Sequence, residues 1–79
     1  NDNYKDLSNL WINELSNNHT ISSENIQNII QKTQDDLNIC GKNLFIPLRL
    51  ALIGKEHGPD LFTIINILGI DESIKRIKQ

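Results

Sequence analysis

Arg49 is the residue of this chain most open to a chemical role. It interrupts a run from Leu44 to Ile53 that is otherwise apolar. A charge placed there loses hydration and is costly unless something pairs with it. Arg49 therefore either snorkels to water or an acid of the first or second helix, or meets a ligand. A turn signal, Gly58-Pro59-Asp60, follows nine residues later. Pro59 suits the first position of a helix, and a helix start beside an arginine suits anionic or base-edge hydrogen bonding. Pro59 and Leu61 offer flat apolar surfaces to an unstacked base. Residue chemistry alone also leaves an ordinary helix–turn–helix junction open.

Other chemistries find no support. Cys40, His19 and His57 are the only soft ligands, without CxxC or HxxxH spacing, so no metal site is expected. Cys40 and His57 formally make a nucleophile–base pair, but nothing in the sequence activates the cysteine, and a small buried residue is the expectation for it. Gly54-Lys-Glu-His-Gly58 lacks the spacing of a phosphate loop, and no strand precedes it. Asp35/Asp36 and Asp71/Glu72 fall at helix ends, where solvation is the ordinary state. No catalytic residue is assigned.

The elements that must position Arg49 follow from apolar spacing. Tyr4, Leu7, Leu10, Trp11 and Leu15 recur at three and four residues, giving a helix over about 4–16 with Trp11 in the core. Ser22-Ser23 and Glu24 open a second helix over about 23–38, with Gly41 as its left-handed cap. A third spans about 44–53, with Pro47 expected in its first turn. The fourth starts at Pro59 and ends at Gly69. The fifth covers about 71–78, with Asp71 as cap and Lys75, Arg76 and Lys78 near its C-terminus. No alternating strand pattern and no repeat occurs, so the fold expected is an all-α bundle of about five short helices.

Seventy-nine residues make one domain, 1–79, with a thin core. No run reaches the roughly 18 apolar residues of a membrane span. A lone cysteine allows no internal disulfide and points to a reducing, cytoplasmic setting. The net charge is −2, but residues 1–40 carry −4 and residues 41–79 carry +2. An anionic partner therefore meets the second half. Position 1 is not Met, so the chain is expected to be cut from a longer one.

Gly41-Lys-Asn-Leu-Phe-Ile-Pro-Leu-Arg-Leu-Ala-Leu-Ile-Gly54, followed by His57-Gly-Pro-Asp-Leu-Phe62, closely resembles the C-terminal anticodon-binding region of bacterial-type glutamyl-tRNA synthetases. The family's run reads like G-K-x-L-F-x-P-L-R-x-A-L-T-G, then H-G-P-x-L. Ile65-Asn-Ile-Leu-Gly69 and Ile74-Lys-Arg-Ile77 resemble its closing elements, while the first forty residues match loosely. The resemblance implies an all-α domain that checks the tRNA(Glu) anticodon loop, as the C-terminal piece of a monomeric class I ligase. Arg49 maps onto a base-contacting arginine. Gly58, Pro59 and Leu61 map onto residues lining the splayed bases, with His57 beside them. Ile53 departs from the family's threonine. No cofactor is implied for this piece; ATP with Mg belongs to the rest of the synthetase chain, which carries the catalysis.

The competing expectation is a helical protein–protein interaction module, suggested by the acidic first half and the amphipathic stripes. A groove-reading DNA-binding helix is disfavoured, because the fourth helix has almost no polar side chains.

Overall fold

In the computed structural model, which describes residues 2–79 and side chains from Tyr4 onward, every regular element is helical. The helices are α1 (Asp2–Ser16), α2 (Ser23–Leu37), α3 (Lys42–Ile53), α4 (Leu61–Leu68) and α5 (Ile70–Lys78). The all-α bundle expected from spacing is the fold observed. None of these helices is long and apolar enough to cross a membrane.

Packing centres on Trp11, which is fully buried together with Leu44, Leu48, Ile65 and Ile77. α5 lies against α1, α3 and α4, while α1 also packs on α2 and α3. The last nine-residue helix thus closes the core from below. Tyr4 Oη donates to the Ile77 carbonyl at 2.8 Å, tying the first helix to the last.

Several boundaries differ from expectation, each for a local reason. α2 ends at Asn38, which takes the left-handed conformation at φ 56 and donates its N–H to Gln34 O. Asparagine is among the few non-glycine residues that tolerate this region. Gly41 is therefore not the α2 cap. It precedes α3 at φ 59 and ψ −140, a conformation open to glycine, and its carbonyl accepts from Leu44 and Phe45 at 2.9 and 3.0 Å.

That early start puts Pro47 inside α3 and not in its first turn. Proline has no N–H, so the Asn43 carbonyl receives no donor from the next turn. Gly69 ends α4 as expected, but it also precedes α5 directly. Asp71 consequently falls in the first turn of α5 and does not cap it. Cys40 is exposed in the α2–α3 connection, contrary to the expectation of burial.

Candidate nucleic-acid interface

The corner is built by the end of α3, the 54–60 connection and the start of α4. Gly54 stops α3 in the left-handed conformation, φ 73, donating its N–H to Leu50 O. Asp60 then starts α4: its Oδ1 accepts from Thr63 N at 2.8 Å. Hydrogen bonding from Thr63, side chain first and then backbone, holds the Asp60 carboxyl below the ordinary range, with Arg49 adding a smaller pull. Pro59 is hence outside the helix, two positions before Leu61, the first helical residue, a place it was expected to hold itself. The expected free helix start is occupied, since a carboxylate already sits where an anion would bind.

Among the described residues Arg49 forms no ion pair with an acid of α1 or α2. Its Nε donates to the Pro59 carbonyl at 3.1 Å, and its guanidinium lies 5.5 Å from the centre of the Phe45 ring. The ring's negative face attracts the cation. One nitrogen of Arg49 thus fixes the turn. Among the described residues neither terminal nitrogen of Arg49 has a hydrogen-bond partner.

The remaining residues of the corner have separate places. Pro59, Gly58 and His57 are exposed. A Cβ at Gly58 would lie 3.0 Å from Ile53 Cδ1, so glycine there permits close packing of the turn onto α3. Ile53, where the family pattern has threonine, supports the turn by contact. Leu61 is only 2% exposed, and its side chain belongs to the core. It holds the corner from beneath and contributes a small part of the lining of the adjoining groove.

Two features were missed from sequence. Arg76 donates through Nη1 to the Leu52 carbonyl at 2.7 Å and through Nε to Glu72 at 2.8 Å, so α5 grips the final turn of α3. A basic residue near a C-terminus was visible; that it served another helix was not. Beside the corner lies a groove of about 380 Å³, walled by α2 on one side and by Phe45, Arg49, Asp60 and Phe62 on the other. Phe62 follows the turn directly, but only packing shows that α2 completes this groove.

Set against known proteins, residues 1–79 match the family described as Anticodon binding domain. The chain belongs to that family. It is 39% identical over 77 residues to glutamate–tRNA ligase 1 of Caldicellulosiruptor saccharolyticus, a match covering 98% of this chain and 16% of that relative. No solved structure matches. The anticodon-binding domain here therefore spans about one sixth of the length of that relative.

Proposed function

We propose that this domain recognises the anticodon of tRNA(Glu) as the C-terminal part of a glutamate–tRNA ligase. The observation that carries the reading is the Arg49–Pro59 hydrogen bond. It locks a turn with exposed Pro59, Gly58 and His57 while leaving the guanidinium terminus open, within a chain of the anticodon-binding family. An anticodon is single-stranded and can be splayed, so it is read by base contacts and stacking more than by phosphate neutralisation. A domain of charge −2 can do this with one well-placed arginine.

Arg49 supplies the donor fork, Pro59 and Gly58 form the surface next to it, and Leu61 keeps that surface rigid. His57 stands at the rim. ATP with Mg acts elsewhere, in the remainder of such a ligase, where glutamate is joined to tRNA. The protein works in the cytoplasm as a monomer.

Titrating the isotope-labelled chain with tRNA(Glu) and with an unrelated tRNA tests this. Amide signals of Arg49 and residues 57–61 should move with the first and stay with the second. Equal movement for both, or movement scattered over the surface, overturns the assignment. Arg49→Ala should weaken tRNA(Glu) binding by about 1–3 kcal/mol, the worth of one bidentate base contact.

A further inference from the structure

The groove beside the corner has a wall that the reading above leaves unused. Gln27 and Gln34 both line it from α2. Seven residues apart, they fall within about 20° of each other around the helix and stand about 10 Å apart along it. Neither side-chain amide has a hydrogen-bond partner among the described residues. Gln31, their neighbour on the surface, is by contrast committed to Asp35 at 3.0 Å.

The opposite wall narrows what the groove can accept. Phe45 offers an aromatic face under the Arg49 guanidinium. Asp60 accepts from Thr63 N through Oδ1, and a carboxylate has further lone pairs for another donor. One cation and one anion cancel, so the groove has no net attraction for a phosphate. A donor fork, a carboxylate acceptor and two amides that both donate and accept instead match the mixed polar edge of a nucleobase. The aromatic and aliphatic lining suits its flat faces. At about 380 Å³ the space admits a nucleotide and not a duplex.

We propose that this groove takes one unstacked nucleotide of the anticodon loop, with Gln27 and Gln34 hydrogen-bonding its base edge and ribose. The inference rests on the anticodon reading and adds the α2 wall as its specificity-determining part. Arg49 stands between the two, serving the exposed turn on one side and this groove on the other.

The test uses the 79-residue chain, the anticodon stem-loop RNA of tRNA(Glu), and derivatives with each anticodon base replaced in turn. Gln27→Leu with Gln34→Leu should cut discrimination about tenfold at one anticodon position, the scale of a single amide–base pairing. Gln31→Leu should change nothing. In the unmutated chain, the side-chain amide signals of Gln27 and Gln34 should shift on adding the stem-loop, a readout independent of whether the double variant folds. Unaltered discrimination with unmoved glutamine signals overturns the groove assignment and leaves the anticodon reading standing. Equal weakening toward every RNA also overturns it, because that is the mark of lost backbone contacts. A chain that does not distinguish the RNAs at all, with Arg49 unperturbed, defeats the anticodon reading itself.

Discussion

Trp11 carries a polar edge into the centre of the molecule, and the sequence hides how it is satisfied. Its indole N–H donates to Thr33 Oγ1 at 3.0 Å, and the Thr33 hydroxyl donates onward to Ile29 O at 2.8 Å. Trp11 was legible as a core residue from its place on an apolar stripe. Thr33 was legible only as a member of the second stripe, because its partner lies 22 residues away. Thr33→Val keeps the shape and strands the buried indole proton, which costs about 1–3 kcal/mol. In urea unfolding the midpoint should fall with an unchanged slope; an unmoved midpoint would show that the hydrogen bond contributes nothing. Arg49 shows the same limit of sequence reading. Its apolar setting announced that it needed a partner, but a backbone carbonyl has no signature in residue type.

At the scale of elements, strong single signals were read correctly and crowded ones were not. Ser22 caps α2 as expected, accepting from Asn25 N at 3.0 Å, and Gly69 ends α4. Two boundaries fell elsewhere than expected, one set by a side-chain cap and one by backbone conformation. The Asp60 carboxylate accepts from the Thr63 N–H and begins α4 after Pro59, and Asn38 reaches the left-handed region three residues before Gly41.

The Asp60 cap makes the corner sensitive to acid. Because the folded-state pKa lies below the ordinary value near 3.8, its stabilisation is complete above that pH and fades as pH falls through the folded value. Amide signals at Leu61–Thr63 should therefore titrate below about pH 3.8, and Asp60→Asn, which retains a capping acceptor, should abolish that titration. Arg76 makes a second demand on the corner. Arg76→Gln releases the Leu52 carbonyl, and exchange of the Gly54 amide should speed up about fivefold, near 1 kcal/mol for a half-exposed charged hydrogen bond. Amides of Ile29 and Ile30 in α2 serve as the unaffected reference.

On the scale of the whole molecule, α1 and α5 run antiparallel along one another. Tyr4 meets Ile77 at one end, while Ser16 and Asn18 share a cleft with Ile70 and Asp71 at the other. The start of α1 and the end of α5 consequently lie together, and this fixes how the domain answers mechanical load. A pull between its two termini peels α5 from α1 contact by contact, as a zip opens. A pull between Asn17 and Gln79 must slide the same helices past each other, loading all their contacts at once. Single-molecule stretching should therefore rupture the domain at a lower force through its termini than through the second pair of handles, and equal forces would contradict this geometry. Tension reaching the domain through its chain ends would release its last helix first, and with that helix the Arg76 grip on the corner.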